Sequence, residues 1–507
     1  MTTKRDVLVV GAGINGLSAA AYLARRGCRV VLLEAAESIG GAARTIEFAP
    51  GLRAPLAAHL LPPVTGPLRR LPLARFGWQG DGPAVESIAL LAERRSLDID
   101  TPSNNSIDAD IVSGWQRFDR ETAAIGALLR RPLQHAPLSL VPTTWRARGE
   151  WLRAGAALAR HGPRRVREAL RVVTMSVADY VSEFVTEPDV AGVLCQDGLW
   201  GTSFGPRAPG TMLGLLYRRA LLGRQNRWLG AAGRSASLLD AIAACALDRG
   251  ADIRTASPVR RILVESGKAT GVELVGGEVV RALNVVSAID PRTTLLQLVG
   301  PAALEAGAVR AARHIRRSAR CARVFVAVSS LPSFVASDKA AHTRIVIAAT
   351  PPELEDAADR SQRGDVAPHL SLEVTVPTAA DASLAPAGTH ILSISVHYVP
   401  AGSASEQAVL AATIDRLAEH DPNFPSTVIA STCLGPESLG QHLGGDLAHW
   451  HHSDLTMDQF LFTRPLAAAP RYRSPVDGLF FASAGAHPGG GVTGWPGCLA
   501  AEALLRS

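Results

Sequence analysis

The chain has 507 residues, of which 47% are hydrophobic and 19% charged, and it carries a formal net charge of +6. This length exceeds what one hydrophobic core usually serves, so we expect at least two well-packed domains rather than a disordered chain. All but three of the 52 basic residues are arginine, which indicates GC-rich codon usage, and no nucleic-acid motif accompanies them. We therefore predict no nucleic-acid partner.

The six cysteines are scattered singly and form no C-x-x-C pair. This spacing excludes a dithiol active site and favours a reducing compartment, so the expected location is the cytoplasm. The first strand-like run begins too early to leave room for a signal peptide, and no apolar run reaches the roughly 18 residues of a membrane span.

The segment from Asp6 to Glu34, DVLVVGAGINGLSAAAYLARRGCRVVLLE, predicts a strand, a glycine turn, a helix, a second strand and a terminal acid. Gly11 allows a tight turn, Gly13 lets backbone N–H groups approach a pyrophosphate, and Gly16 lets the helix pack closely on the strand. The helix N-terminus would face the phosphates, and Glu34 would accept both ribose hydroxyls. The segment predicts a dinucleotide-binding unit; the alternative is a glycine-rich helix start without a ligand.

The residues after Glu34 predict which nucleotide binds. The pair Gly40 and Gly41 resembles an extension seen in FAD-binding oxidoreductases and absent from plain NAD dehydrogenases. A carboxylate at Glu34 would repel the 2′-phosphate of NADP. FAD is therefore the predicted cofactor, with the backbone at Val259 meeting its adenine.

The C-terminal segment GLFFASAGAHPGGGVTGWPGCLAAEALLRS, Gly478 to Ser507, predicts a further strand, glycine turn and helix. No second strand or acid follows, so we do not expect a second dinucleotide site. Backbone N–H groups around Val492 to Gly494 would instead approach the flavin ring, and the helix dipole would stabilise negative charge there.

The middle of the chain is expected to form the substrate-binding domain. Residues 66 to 110 suggest a small β-rich insertion, and 320 to 435 predict alternating strands and helices, including CARVFVAVSS, LSLEVTVP and THILSISVHYVP. Amphipathic helices are expected over 145–160 and 163–184, with a capping box at Ser176 that divides the second. These helices are rich in arginine, which fits either peripheral contact with an anionic membrane or a solvated helical cap.

Five motifs carry a resemblance to a known family: GAGINGLSAAAYLARRG, the Gly40-Gly41 pair, PTAADASLAPAGTH, DQFLFTRP and AGAHPGGGVTGWPG. Together they resemble the phytoene dehydrogenase-related FAD-dependent oxidoreductases. The resemblance implies an α/β fold in which a Rossmann-like FAD-binding domain is interleaved with an α+β substrate domain, as in amine oxidases and phytoene desaturases. The chain departs from the family at Gly233 to Ala236, where a Gly-Gly-Met-Gly turn is common, and at Trp495, where a small residue is common. We expect Trp495 to narrow the cavity beside the flavin.

The domain bounds that we predict are 1–75, 228–300 and 440–507 for the discontinuous FAD-binding domain, and 76–227 and 301–439 for the substrate domain with its helical cap. The implied activity is hydride transfer from a hydrophobic organic substrate to non-covalently bound FAD, in a dehydrogenase, desaturase or oxidase. The electron acceptor, oxygen or quinone, and the oligomeric state stay open. The predicted cofactor contacts are Gly11, Gly13, Ile14, Asn15, Gly16, Glu34, Gly40, Gly41, Ala42, Arg44, Val259, Gly485, Gly491, Val492, Thr493 and Gly494.

Two histidines are candidate catalytic residues, His487 beside the flavin-facing glycines and then His59, although each has a purely structural alternative. A cluster of Asp446, His449, His451, His452 and Asp454 could suggest a metal, but we predict a solvated polar loop and no metal site.

Three other functions stay open, and the first is the redox-neutral isomerisation or saturation known in the wider family that the chain resembles. An amine oxidase would require an aromatic cage beside the flavin, and an FAD-bound interaction protein would show little turnover.

Overall fold

The computed structural model describes residues 6–80, 82–103, 107–139, 141–223, 228–231, 233–402, 405–445, 449, 451–467 and 471–507. The strands are β1 Asp6–Val10, β2 Arg29–Leu33, β3 Thr45–Ala49, β4 Leu52–Pro55, β5 Leu60–Leu61, β6 Ala84–Leu90, β7 Ser96–Asp98, β8 Trp228–Ala231, β9 Asp252–Arg254, β10 Val259–Glu265, β11 Lys268–Leu274, β12 Val279–Arg281, β13 Asn284–Ser287, β14 Cys321–Val328, β15 Thr343–Ile347, β16 Leu372–Thr375, β17 His390–His397, β18 Val428–Leu434 and β19 Leu479–Phe481.

The helices are α1 Ile14–Arg25, α2 Ala109–Leu133, α3 Trp145–Ala159, α4 Pro163–Thr174, α5 Val177–Ser182, α6 Pro188–Gln196, α7 Met212–Leu222, α8 Gly233–Leu247, α9 Pro291–Thr293, α10 Ala306–Arg313, α11 Pro351–Arg363, α12 Pro377–Ala380, α13 Glu406–Ala418, α14 Phe424–Thr427, α15 Pro436–His442 and α16 Trp495–Leu505. In the described ranges, no helix combines the length and the apolar character needed to cross a bilayer.

A parallel sheet with the strand order β19-β13-β1-β2-β9 forms the dinucleotide-binding side. Side chains alternate along β1: Val7 and Val9 join the core that includes α1, α8 and α16, whereas Leu8 and Val10 pack with the small antiparallel sheet β10-β11-β12. The run DVLVV is apolar because both faces of this strand are covered. The predicted β1-α1-β2 unit is present.

A second, mixed sheet has the order β18-β14-β17-β16-β15-β6-β8-β5, with β7 paired to β6. The three strands predicted from CARVFVAVSS, LSLEVTVP and THILSISVHYVP are its β14, β16 and β17. One face of these strands is apolar and packs on the helical layer, for example through Val324, Val374 and Ile394. The opposite face carries polar residues, because side chains alternate between the two faces of a strand.

The predicted fold class is confirmed: a Rossmann-like parallel sheet is interleaved along the chain with a mixed sheet and a helical layer. The exact domain bounds stay a prediction, and β5 and β8, from segments assigned to the FAD side, pair with the mixed sheet. Ser176 caps α5 as predicted by accepting a hydrogen bond from the amide of Asp179 at 3.0 Å. The side chains of Gly233 to Ala236 lie outside the described residues.

Candidate cofactor and substrate site

A cavity of about 1150 Å³ lies between the two sheets. Its walls include the glycine turn after β1, the Gly40–Arg44 segment, the Gly490–Val492 loop and the polar face of the mixed sheet. Typical cavities for drug-sized ligands measure roughly 300–1,000 Å³. The space therefore suits a large cofactor with part of a second molecule beside it.

The glycine turn has the geometry that its spacing predicts. Gly11 has a φ of 95°, which favours glycine, and its amide donates to the Leu33 carbonyl at 2.7 Å. A Cβ at Gly16 would lie 1.8 Å from the Gly11 carbonyl oxygen, so α1 can approach the turn only with glycine there. The Gly40 amide donates to the Ala12 carbonyl at 2.9 Å and brings the second glycine pair beside the first turn.

Glu34 stands at the end of β2 and lines the cavity. Its Oε2 accepts a hydrogen bond from the amide of Ala12 at 2.6 Å, and its Oε1 accepts one from Ala36 at 3.0 Å. These bonds orient the carboxylate and leave each oxygen a second lone pair for a ribose hydroxyl. The buried Oδ1 of Asn15, also in the wall, has no hydrogen-bond partner in the described part of the chain. The residues present therefore fit a dinucleotide.

Most of the predicted cofactor contacts come together in this cavity. The predicted residues that line it are Gly11, Gly13, Ile14, Asn15, Gly16, Glu34, Gly40, Gly41, Ala42, Arg44, Val259, Gly491 and Val492. Their individual contacts with FAD stay a prediction.

Gly485, Thr493 and Gly494 are not lining residues, and the structure gives them packing roles. A Cβ at Gly485 would lie 2.4 Å from Pro291, and one at Gly494 would lie 2.6 Å from Ser18 Oγ. The Thr493 hydroxyl accepts a hydrogen bond from the first amide of α16 at 3.3 Å. Trp495 does not narrow the cavity either, because its indole is buried and donates to the Thr65 carbonyl at 2.8 Å.

The Gly490–Val492 loop is held from both sides. Tyr217 donates its hydroxyl to the Gly490 carbonyl at 2.8 Å, and His451 Nδ1 accepts from the Gly490 amide at 3.0 Å. Val492, in the same wall, has a φ of 58°, a strained conformation for a β-branched residue. Strain of this kind persists only where the surroundings impose it, so the loop is fixed before any ligand arrives.

Arg464 anchors the segment that carries His451. The guanidinium is 1% exposed and donates to the carbonyls of His451 at 2.5 Å, Ala484 at 2.9 Å and Gln459 at 3.0 Å. Burial lowers the pKa of Arg464 to about 10, so it stays charged at neutral pH.

His59, a candidate catalytic residue, lines the cavity but is fully engaged. Its Nε2 lies 2.9 Å from Glu373 Oε1, and its Nδ1 lies 3.2 Å both from Arg323 Nη1 and from the Thr375 hydroxyl. The Ser393 carbonyl, which can only accept, also lies 3.3 Å from Nδ1, but the Glu373 carboxylate at Nε2 and the Arg323 donor at Nδ1 together favour the tautomer with its proton on Nε2. Burial and the charge of Arg323 lower the pKa of His59 to about 4. His59 is therefore a neutral side chain that connects Glu373 to Arg323 by hydrogen bonds, which favours its structural alternative.

His487, the first catalytic candidate, does not reach the cavity. Its Nε2 donates to the carbonyls of His135 at 3.0 Å and Pro132 at 3.2 Å, at the end of α2. Burial lowers its pKa to about 4. These bonds hold its ring at the end of α2 and not at the cavity wall, which favours its structural alternative; a catalytic role for His487 stays a prediction.

The predicted solvated loop around His449 is also wrong. His449 and Asp454 are buried and lie 2.9 Å apart between Nε2 and Oδ1, and His451 and His452 line the cavity with His449. Asp446 lies outside the described residues. In the part of the chain that is described, no group of three or more potential ligands is arranged to hold a metal ion.

Sequence reasoning missed the charged wall of the mixed sheet. Arg323 on β14 lies opposite Ser395 on β17, which lies opposite Glu373 on β16. Part of the signal was available, since Glu373 and Ser395 each stand two positions from another polar residue in an otherwise apolar strand, which puts the polar residues of each strand on one face. Arg323 has no such neighbour on β14, and only the pairing of the strands brings it to the same face. Arg218 on α7 and Trp200 in the turn that follows α6 also line the cavity, and their segments carry no comparable signal.

A dinucleotide cradle that opens into a chamber built by a second sheet defines the class: an FAD-dependent oxidoreductase with a cofactor side and a substrate side. The chain belongs to the flavin containing amine oxidoreductase family, whose model matches residues 14–504. This confirms the predicted family relationship, enzyme class and cofactor.

Similar proteins support the same assignment. The chain is 31% identical to mouse (Mus musculus) pyridine nucleotide-disulfide oxidoreductase domain-containing protein 2, over 99% of this chain and 93% of the relative. It is 27% identical to hydroxyneurosporene desaturase from Cereibacter sphaeroides, over 98% and 97% of the two chains. Its fold is similar to that of a redesigned putrescine oxidase, with a TM-score of 0.62, 17% identity and 99% of each chain covered.

Proposed function

We propose that this FAD-dependent oxidoreductase removes hydride from a carbon of a hydrophobic organic substrate, as a dehydrogenase or desaturase. The observation that carries this proposal is the shared cavity, in which the glycine turn after β1 and the inner face of the mixed sheet are two walls of one space. A substrate held against the sheet would therefore meet the cofactor without crossing a barrier of protein. When bound, FAD would supply the hydride acceptor.

The residues of the chain supply position and electrostatics. Glu34 and the glycine turns would hold the nucleotide, while Tyr217 and His451 fix the backbone of Gly490 at the cavity wall. His59 offers no free lone pair for a substrate proton, because its Nδ1 accepts from Arg323 and Thr375. His452 also lines the cavity, and its Nδ1 has no hydrogen-bond partner among the described residues, so it would take up the proton that oxidation releases together with the hydride.

Amine oxidation is the nearest rival, and the cavity wall argues against it. Among the described lining residues the aromatic side chains, histidines aside, are Trp200 and Tyr217. The guanidinium of Arg218 already lies over the Trp200 ring, 6.0 Å from its centroid, and the Tyr217 hydroxyl is bonded to Gly490. An ammonium ion would have to compete with a fixed cation for the same ring face. The likeness to putrescine oxidase concerns the fold alone.

The test is the visible spectrum of the purified protein followed by anaerobic titration. We expect flavin absorption bands that bleach with an unsaturated or hydroxylated apolar compound and not with the amine of equal chain length. Bleaching by the amine alone would establish the amine oxidase instead. A stable flavin spectrum with every compound would favour an FAD-bound interaction protein with little turnover.

The electron acceptor, oxygen or a quinone, is measured in the same experiment. After substrate bleaching, the return of flavin absorbance is followed once in air and once anaerobically with a water-soluble quinone. Faster return in air would make the protein an oxidase, and faster return with the quinone a dehydrogenase.

Helices α3 and α4 support the proposal of peripheral membrane contact. Trp145, Leu152 and Leu170 expose 87%, 75% and 64% of their surfaces. Exposed arginines surround them at 148, 153, 160, 164, 165 and 167. The two acids of these helices are paired, Glu150 with Arg471 and Glu168 with Arg171. Exposed apolar side chains within a basic surface match an anionic bilayer.

The proposed location is the cytoplasm. All six cysteines are buried thiols, and the described residues contain no disulfide. Unbridged cysteines are typical of a reducing compartment.

A further inference from the structure

Two consecutive histidines, His451 and His452, both line the cavity. Successive side chains of an extended chain point in opposite directions, so two neighbours do not normally share one wall. His452, however, has a φ of 58°, a left-handed conformation that is uncommon for a residue with a side chain. This turn of the backbone accompanies the placement of both rings on the same cavity.

Two glycines make room for the two side chains. A Cβ at Gly201 would lie 2.6 Å from Cδ2 of His451 and 3.0 Å from its Nε2, so the ring can occupy its place only beside a glycine. A Cβ at Gly485 would lie 3.3 Å from the Cβ of His452. The amide of Leu455 donates to the Gly201 carbonyl at 2.7 Å and ties the two segments together. The positions of the histidines are therefore set by the fold.

His451 is a hydrogen-bond donor. The amide of Gly490 can only donate, so Nδ1 of His451, 3.0 Å away, is the acceptor and the proton of the neutral ring is on Nε2. No acceptor for Nε2 lies among the described residues. Burial and the charge of Arg464 hold the pKa of His451 well below its usual range, so the ring is uncharged. His451 thus offers one N–H group.

His452 supplies a free lone pair. Neither of its ring nitrogens is bonded to a described residue. Burial lowers the pKa of His452 to about 4, and the ring is neutral at pH 7. The carboxylate of Asp290, another lining residue, opposes this shift and would stabilise the imidazolium that forms when a proton arrives.

The charged side chains of the same wall have charged partners. Arg218 lies 3.4 Å from Asp197 and 3.6 Å from Glu373, and Arg317 donates to Asp290. These pairs do not favour a substrate with a charge of its own. The two neutral imidazoles instead match an uncharged polar group.

We propose that His451 and His452 bind a hydroxyl group, so that the hydrophobic substrate is an alcohol and the product an aldehyde or a ketone. This inference rests on the proposed function. A hydroxyl both accepts and donates, which matches one N–H group and one lone pair. A ketone or an ether has no proton to donate, and an ammonium ion has no lone pair to accept with.

The oxidation balances with these groups. The hydroxyl oxygen accepts a hydrogen bond from Nε2 of His451 and donates its own proton to His452. The C–H bond of the carbinol carbon breaks, and its electron pair leaves with the hydrogen as hydride to bound FAD. The O–H bond breaks as the proton passes to His452, and its electron pair forms the second bond of the C=O group.

The first experiment compares alcohols with their methyl ethers in the unmodified, FAD-loaded protein. Decanol, cyclohexanol and benzyl alcohol, each beside its ether, and the alkene decene are mixed anaerobically with the protein, and the rate of flavin bleaching is recorded. The ether keeps the C–H bond and the acceptor oxygen but has no O–H proton for His452. At least one alcohol should bleach the flavin about 100-fold faster than its ether, since a positioned base contributes about 100- to 10,000-fold. Equal rates for every alcohol and its ether would overturn the inference.

Variants then assign the two roles. H452Q should slow bleaching by the alcohol about 100-fold while its affinity stays within about tenfold, and imidazole added to H452A should restore part of the rate, as a merely structural histidine would not allow. H451F should weaken alcohol binding about 5- to 10-fold, because one hydrogen bond is lost. H442Q makes the same change at an exposed histidine that lines the nucleotide end beside Arg44, and it should alter neither value. An undiminished rate in H452Q, or an equal loss in H442Q, would contradict the assignment. If H452Q does not fold, the comparison of alcohol with ether still decides.

The two proposals fail separately. Bleaching by decene while every alcohol is inert would refute the hydroxyl site and leave the proposed oxidation intact. A flavin that is stable with every compound would refute the proposed oxidation, and the dissociation constants would then decide the site. An affinity for the alcohol above that for its ether, lost in H451F and H452Q, would support the hydroxyl site, and equal affinities would refute it.

Discussion

At the scale of single residues, Gly16 shows how a motif position can be required by packing. A Cβ there would lie 1.8 Å from the Gly11 carbonyl oxygen, whereas one at Gly155, in the exposed helix α3, would meet nothing within 4 Å. We expect G16A to lower the free energy of unfolding by roughly 3 kcal/mol or more, because α1 must move away from the turn. G155A should be neutral or stabilising by up to about 1 kcal/mol. Urea unfolding of the FAD-free proteins measures both, and equal effects would contradict this reading of Gly16.

The lowered pKa of His59 leads to a prediction about how stability depends on pH. The pKa of His59 falls from an ordinary value of 6.5 to about 4 in the folded protein. Between these two pH values the imidazole is therefore protonated in the unfolded chain and neutral in the folded one. The contribution of neutral His59 to the free energy of unfolding is therefore complete above pH 6.5. It is lost as the pH falls toward 4, by up to about 1.4 kcal/mol per pH unit. H59Q should flatten the dependence of unfolding free energy on pH in that window. An unaltered slope in H59Q would show that His59 is not the buried neutral group described.

At the scale of elements, α7 connects the helical layer to the cofactor side. Its Tyr217 donates to the Gly490 carbonyl at 2.8 Å and is buried. Y217F should weaken FAD binding by about 3- to 10-fold, because a loop that has lost one hydrogen bond must be ordered by the cofactor itself. Y180F, at a buried tyrosine on α5, removes a hydroxyl away from the cavity and should leave FAD affinity unchanged. Fluorescence titration of the apoprotein with FAD gives both constants.

The surface of α3 leads to a prediction about membranes. W145S combined with L152S should reduce sedimentation with phosphatidylserine-containing vesicles at least severalfold, because two exposed apolar side chains no longer enter the bilayer. L283S combined with I429S removes apolar side chains that are 54% and 57% exposed elsewhere and serves as the matched control. Binding that is equal in both double variants, or that persists on vesicles of phosphatidylcholine alone, would refute a basic, apolar membrane face.

At the scale of the whole molecule, one cavity joins the two sheets, so cofactor binding should be coupled to global stability. FAD at about 100 times its dissociation constant should raise the free energy of unfolding by about 2.7 kcal/mol. NADP at the same concentration should have no effect, because Glu34 would repel its 2′-phosphate. Thermal unfolding with each nucleotide measures this coupling. An equal increase in stability with NADP would contradict the assignment of Glu34 as the acceptor of hydrogen bonds from the ribose hydroxyls.

Much of the cofactor side could be predicted because its determinants are local. The β1-α1-β2 unit, the turn at Gly11 and the acid at Glu34 lie within one short stretch, where spacing along the chain dictates spacing in space. The histidines show the opposite case. His487 is close in sequence to the glycines of the cavity wall, yet the backbone directs its ring to the end of α2. Sequence proximity does not specify the direction of a side chain outside a regular element.

The amino-acid sequence by itself determined the fold class, the family relationship, FAD as the cofactor and the glycine cradle, since hydrophobic periodicity and short motifs encode them directly. Only the tertiary structure decided that Arg218, Arg323, Arg344, Asp197 and Glu373 form one buried cluster, because they come from distant segments of the chain. The assembled environment also decides charge: burial and neighbouring ions, neither visible in the sequence, lower the pKa values of His59 and His397 so that both stay neutral, and nearby arginines keep Glu373 and Asp197 ionised. The chemistry of the substrate wall is therefore a property of the assembled fold.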